Sequence, residues 1–368
     1  MTKDKLLSDT ITYLRFPLIV GVVFIHFNLV DKGFSANGIN YDLNGGNVDL
    51  VRYVVLLFSD VLPSLSVPLF FIFSGFLFFY NMDRLDGETY KKKLIKRFWT
   101  LAIPYFLWNL IAFMIKLTTS LSSKTLEIHF TLSRLFNTFF YCDNWNGVFV
   151  LLTDTNKEAY PIDVPMWYVR DLMLMVLVSP LIYYVLKKAR IWIVLFWGGL
   201  WYMVKTGTVQ SCGFIFITAT FFFTWGGYYS ICRQDFIEDM RRFKYAPLFW
   251  VITIMIDLVH GNSFVHCMVI ILGVFSVVQI ASYLLESGKV KVNKFLADCS
   301  FFVFALHFLI MKRIATATFS IFHLPNNQYV LFMAYIIIPT ITIVICMLLY
   351  SLLKYKLPAL CNLMTGGR

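Results

Sequence analysis

The sequence predicts an all-α fold: a polytopic transmembrane helical bundle of about ten helices, with both termini in the cytoplasm. Three observations carry that expectation. The chain of 368 residues is 59% hydrophobic and only 14% charged, where a soluble domain carries about 25% charged residues. Its apolar residues fall into long runs near the ~20 residues that a helix needs to cross hydrocarbon. Its lysines and arginines gather in every second connection between those runs, as the positive-inside rule requires.

The runs lie at about 11–31, 53–80, 98–117, 166–186, 191–204, 213–231, 245–260, 264–285, 300–322 and 329–353. The first is too long for a signal peptide and lacks a small-residue cleavage site. The second contains Pro63 and Pro68, and a proline inside a helix removes a hydrogen bond and kinks or breaks the span. A basic stretch, Lys91-Lys92-Lys93-Leu-Ile-Lys96-Arg97, leads into the third through Pro104 and Tyr105. The connection at about 118–165 is the one long loop. It carries Leu132, Leu135, Phe136, Phe139 and Phe140 at helical spacing, the pattern of an amphipathic helix lying in the interface. The fifth and seventh runs are short for a crossing. The whole length, 1–368, reads as a single transmembrane domain.

With the N-terminus inside, the cytoplasmic segments hold 21 basic residues against six in the opposite loops. Miscounting one helix would destroy that pattern, so the bias favours an even number of crossings. The net charge of +11 thus reflects helix orientation and excludes nucleic acid as the expected partner. The seven cysteines contain no CxxC pair, which suits neither a disulfide framework nor a structural metal site; no metal is expected.

Ionisable residues at membrane depth are costly and mark function by default. Arg15 and His26 share the first run. Eleven residues bring a helix around by three turns plus about 20°, so the two lie on one face about 16 Å apart. Arg15 is expected to start the helix on the cytoplasmic side, with His26 in the outer half. A neutral imidazole can take a proton from an attacking hydroxyl, and a guanidinium can hold a phosphate or carboxylate. A structural pair, with Arg15 snorkelling to lipid phosphates, fits the spacing as well. Ser74-Gly75 in the second run permits close helix packing; the nucleophile-elbow pattern is missing. The basic stretch reads either as a positive-inside anchor or as a grip on a phosphate-rich ligand by Lys93, Lys96 and Arg97. Trp167 and Arg170 open the fourth run from outside, where they could serve an interfacial belt or a sugar. Arg170 and Asp171 do not face each other on a helix, so each is expected to have its own partner. Ser300 and His307 share a face of the ninth run, followed by Lys312 and Arg313, for which Asp60 and Asp257 are candidate partners.

Taken together, these segments resemble the acyltransferase family three membrane proteins, which include bacterial O-acetyltransferases of surface polysaccharides. The likeness rests on Arg15-x10-His26, the Phe-x-Ser74-Gly75-Phe element, the basic run before Pro104-Tyr105, Trp167-x-x-Arg170-Asp-Leu and Ser300 to His307. It spans about residues 11 to 353. The resemblance implies a multi-pass enzyme of a bacterial inner membrane. It would move an acyl group, expected to be acetyl, from cytoplasmic acyl-CoA to a hydroxyl of a carbohydrate or glycolipid acceptor outside. His26 would be catalytic with Arg15 its partner, and Arg97, Lys96 and Lys93 would approach the donor phosphates. Trp167, Arg170, Ser74 and His307 would serve the acceptor side or the structure. Acetyl-CoA is expected as a substrate, with no resident cofactor. Many members carry Arg-x-x-Arg before the Pro-Tyr element; here Thr100 stands three residues after Arg97. A transporter or flippase for a lipid-linked glycan is the alternative, using the same charges as a substrate path.

Overall fold

A computed structural model describes residues 2–30, 33–43, 50–82, 84–122, 139–140, 160–209, 216–233 and 235–367. Among them, all ten apolar runs lie on helices. Helix α1 spans Lys3–Ile25 and is followed by a two-stranded hairpin, β1 Phe34–Ala36 and β2 Ile39–Tyr41. The second run is α2 Leu50–Leu56, a π-turn Leu57–Val61, a 3-10 turn Pro63–Leu65 and α3 Ser66–Phe79. The third is α4 Gly87–Arg97, a π-turn Phe98–Ala102 and α5 Ile103–Ser122. Then come α6 Trp167–Ala189, α7 Ile191–Lys205, α8 Phe216–Tyr228, α9 Phe236–Arg242 and α10 Ala246–His260. The chain ends with α11 Ser263–Glu286, α12 Lys294–Phe322, α13 Gln328–Lys356 and α14 Pro358–Thr365.

Seven of the described helical segments are long and apolar enough to cross a membrane, or eight if the α9–α10 pair, bent by 67°, counts as one span. The bend has a cause in sequence: Pro247 occupies the first turn of α10, where its missing N–H is tolerated, so the chain restarts a helix there. The protein is therefore a multi-pass membrane protein, and the expected number of about ten helices is approximate. The short fifth run forms the 15-residue α7. The amphipathic segment expected around Leu132, Leu135 and Phe136 lies outside the described residues; Phe139 and Phe140 are helical.

The second span breaks where its prolines predicted. Pro63 has no N–H to give to the carbonyl four residues back, and the turn before it widens so that the Leu62 N–H reaches Leu57 O at 2.9 Å. Pro68 falls in the first turn of α3 and is tolerated there. The β-hairpin was not foreseen. Its signal was Asn37-Gly38, with φ of 51° and 76°, the two positive φ values that a two-residue type I′ turn demands.

The chain divides into two compact units, each assembled from separate stretches of sequence. One comprises Met1–Phe70 and Gln234–Leu352, the other Phe71–Arg233 and Leu353–Arg368. In the first, α1 packs against α11 and α12. Gly21 lets α1 approach the broken span closely, since a Cβ there would meet Pro63 and Ser66 at 3.2 Å. The hairpin closes over the end of α12, with Phe34 and Tyr41 both ringed against Phe319. In the second unit, α3 and α8 cross at Gly75 and Gly226, backbone against backbone. Helix α14 is tied to α5 by the Trp108 indole N–H, which donates to Met364 O at 2.9 Å.

Candidate active site

The first group of candidate residues lies in the unit that contains α1. Arg15, Ile19, Val22 and His26 recur at helical spacing on one stripe of α1. Ile19 and Val22 are each 4% exposed, so the stripe turns into protein and away from lipid. Arg15 does not start the helix, as the hydropathy pattern suggested. The helix begins at Lys3, because the segment Lys3–Asp9 has no proline or glycine to stop it; Lys3 also meets Asp235 at 2.7 Å. Arg15 is consequently a mid-helix residue, half-buried.

His26 caps the other end of α1, with φ −81° and ψ −6°. Past it, the chain turns on Asn28, whose side chain accepts the Val30 N–H at 2.9 Å. The half-buried His26 ring lies 5.3 Å from the ring of His307 and 5.1 Å from that of Phe308, both on α12. The structure thus brings His26 and His307, nearly three hundred residues apart in sequence, side by side. Ser300 shares the buried face of α12 with Phe304, His307, Met311 and Ala315, and its hydroxyl is satisfied locally by Ala297 O at 2.7 Å.

Asp257 does not pair with Lys312 or Arg313. It accepts from His266 Nδ1 at 2.8 Å. The physical reason is proximity: α10 and α11 are joined by the short turn Gly261-Asn262, which sets Asp257 opposite the first turns of the next helix. Lys312 and Arg313 are exposed.

The remaining candidates lie in the other unit. Lys93 donates to Phe78 O, at the last turn of α3, and stands 5.0 Å over the Phe78 ring. A cation at a helix C-terminus is favourable, so part of its task is structural. Lys96 is exposed. Arg97, the last residue of α4, is half-buried. It makes no hydrogen bond or ion pair among the described residues, though the Tyr168 phenol lies within electrostatic reach. The N-terminus of α4 is held by Asp86, whose carboxylate accepts the Thr89 N–H at 2.8 Å. That bond holds the Asp86 carboxyl below the usual aspartate range.

Ser74 shares a hydrogen bond of 3.1 Å with the Tyr168 hydroxyl, and Tyr168 packs at 4.7 Å on Phe71. Tyr168 was not among the residues the sequence singled out. Its signal was the lone hydroxyl of Ser74 in a phenylalanine-rich helix, which needs a partner. Trp167 is half-buried, 6.4 Å from Phe71.

Arg170 and Asp171 face each other, against the expectation from helix directions. Arg170 Nε donates to Asp171 Oδ1 at 2.9 Å, and the two side chains are 4% and 0% exposed. The i,i+1 rule describes Cβ directions, and the long arginine folds back across it once burial leaves the charges no water. Arg170 Nη1 also donates to Phe140 O at 2.7 Å. Just before α6, Asp163 is fully buried, and neither of its carboxylate oxygens has a hydrogen-bond partner among the described residues. Burial pushes its pKa well above the usual carboxylate range. Its backbone N–H is held by Asn109 Oδ1 at 3.1 Å.

The family model of the acyltransferase family 3 domain matches residues 9–351, nearly the whole chain. No curated protein and no solved structure matches.

Proposed function

The chain belongs to acyltransferase family 3 and is a membrane acyltransferase; from that premise we propose that it moves an acetyl group from acetyl-CoA to a hydroxyl of a surface or lipid-linked carbohydrate, in a bacterial inner membrane. The observation that carries this reading is the stripe of α1 from Arg15 to His26. Ile19 and Val22, which lie between them on that stripe, are buried, and this supports a reading in which the His26 imidazole faces protein and can accept a proton.

In this reading His26 takes the proton of the acceptor hydroxyl as that oxygen attacks the thioester carbonyl. The tetrahedral oxyanion collapses, the carbon–sulfur bond breaks, and the departing thiolate takes the proton back from the imidazolium. The products are the O-acyl ester and free CoA, with His26 restored. Arg15 holds negative charge along the same stripe. Arg97 and Lys96 bind donor phosphates: a half-buried guanidinium without a carboxylate is suited to an anionic ligand. Lys93 contributes through its helix-capping position. Trp167 shapes the acceptor side, and the buried Arg170–Asp171 pair holds the start of α6.

The test is transfer of labelled acetyl from acetyl-CoA in membranes containing His26→Ala. Loss of transfer on the order of a thousandfold, with a monodisperse protein, is expected. Transfer at the wild-type rate removes His26 as the base. Movement of a glycan across the membrane by the wild type without acyl-CoA would favour transport instead.

A further inference from the structure

His307 is a buried polar group with half of its hydrogen-bonding capacity accounted for. Its Nδ1 lies 3.0 Å from Val303 O, one turn back on α12. A carbonyl oxygen only accepts, so Nδ1 carries the hydrogen. In the neutral ring Nε2 is then an acceptor. That atom is fully buried and has no hydrogen-bond partner among the described residues. Most buried polar side-chain atoms are paired, and one that is not asks for a reason.

The surroundings narrow the choice of donor. His307 is 0% exposed. The Phe304 ring lies 6.4 Å away, and Val303 and Met311 flank it on α12; none of these side chains carries an N–H or O–H. The His26 ring does, at 5.3 Å between centroids and tilted by 44°. His26 is half-buried at the end of α1.

We propose that His307 is a positioning residue for His26: its Nε2 receives a hydrogen bond from a ring N–H of His26, directly or through one water. This rests on the assignment of His26 as the base. The bond fixes which His26 nitrogen keeps its hydrogen, so the other nitrogen presents its lone pair to the acceptor hydroxyl. A base oriented by a third group is a recurring arrangement in acyl transfer. No proton moves to His307. When His26 takes the hydroxyl proton, both its nitrogens carry hydrogen, and the one facing His307 still donates to Nε2. That contact favours the imidazolium until the thiolate reclaims the proton.

Two amides separate this role from a merely structural one. In His307→Asn the amide nitrogen falls near Nδ1 and can still donate to Val303 O, while nothing replaces Nε2. In His307→Gln the amide oxygen reaches the region of Nε2 as an acceptor. The proposal expects Asn to lower kcat about thirtyfold with KM for acetyl-CoA little changed, and Gln to restore kcat to within about threefold of wild type. The reverse order, with Asn active and Gln inactive, would mean that only the Val303 bond matters and would overturn it.

A second measurement holds if either variant fails to fold and does not depend on activity. In protein labelled with 15N-histidine and embedded in lipid, a hydrogen-bonded Nε2 resonates apart from a bare one. His26→Phe should shift the His307 Nε2 signal to the bare position. An unchanged signal sinks the pairing. If the wild type transfers no acyl group at all while this shift is seen, the enzymatic reading fails and the imidazole pair stands.

Discussion

Substituting alanine at Gly75 should be among the most damaging single-methyl changes in the protein. A Cβ at Gly75 would stand 2.0 Å from Phe223 O, and one at Gly226 would stand 2.0 Å from Ile72 O. An ordinary carbon–oxygen contact is about 3.3 Å, so α3 and α8 must part by roughly 1.3 Å to admit the methyl. The obstacle is backbone, which cannot rotate aside as a side chain can. Parting also loosens the rings that flank the crossing, Phe78 and Phe79 against Phe223 at 6.1 and 6.0 Å. Overpacking costs about 1–3 kcal/mol, and a rigid partner puts Gly75→Ala at the upper end, about 3 kcal/mol. The expected fall in melting temperature is roughly 4 °C. A thiol-reactive dye in a thermal ramp reads it, because Cys361 in the same unit is buried and free. Gly199→Ala is the control, since a Cβ there meets nothing within 4 Å; it should leave the melt unchanged or raise it, as alanine favours helix over glycine. The Gly75→Ala/Gly226→Ala pair should be less damaging than the sum, because one separation admits both methyls. A Gly75→Ala protein melting with the wild type would refute the close crossing.

Three further outcomes follow from single groups. Arg97→Gln should raise KM for acetyl-CoA about tenfold or more while leaving the melt unchanged or slightly higher, since a half-buried cation without a carboxylate is relieved; an unchanged KM removes Arg97 from the donor site. Asp163→Asn should stabilise the protein at neutral pH. The raised pKa means that the folded carboxyl stays protonated while the unfolded one ionises, so wild-type stability is fully present below the unfolded pKa near 3.8 and is lost as pH rises through the folded value. The variant's advantage in melting temperature should therefore vanish below about pH 4, and an advantage independent of pH would contradict the assignment. Asp171→Ala should destabilise by about 3–5 kcal/mol by removing the carboxylate beside the buried Arg170 charge, whereas Arg170→Met/Asp171→Leu should be milder than either single change; equal damage in all three, read by the same thermal ramp, counts against a buried pair.

The spans were legible because hydropathy is a property of composition over a turn-rich window, and each apolar run became a helix. What escaped was set by contacts that no window sees. Helix α1 starts at Lys3, before the first apolar run, and its first residue meets Asp235, more than two hundred residues later in sequence. The hairpin at Phe34–Tyr41 is too short to give a periodic signal, though Asn37-Gly38 marks it once turn chemistry is read first. The pairing of Arg170 with Asp171 ran against a rule about directions on an exposed helix, which burial overrode. The candidate residues could be named from their types, and their geometry only in part. The eleven-residue spacing of Arg15 and His26 survives on a buried stripe, but the approach of His307 to His26 is a tertiary fact. Tyr168 was visible only through the unmet need of Ser74.

The basic run before Pro104-Tyr105 shows how a sequence motif can encode position as well as charge. Pro104 has no N–H to offer Thr100 O and would crowd it, so the preceding turn opens to π geometry over Phe98–Ala102, and the Ile103 N–H reaches back to Phe98 O. One extra residue in that turn rotates everything before it by about 100° relative to everything after. Arg97 stands at the boundary, the last residue before the widened turn. Had the chain continued as regular α-helix, Arg97 would be directed about a quarter-turn away from where it is, relative to the buried Tyr105 and Trp108 that anchor α5. The proline therefore aims the guanidinium that the basic run supplies. That aiming device resides in Pro104 and does not require a second cation at the position of Thr100.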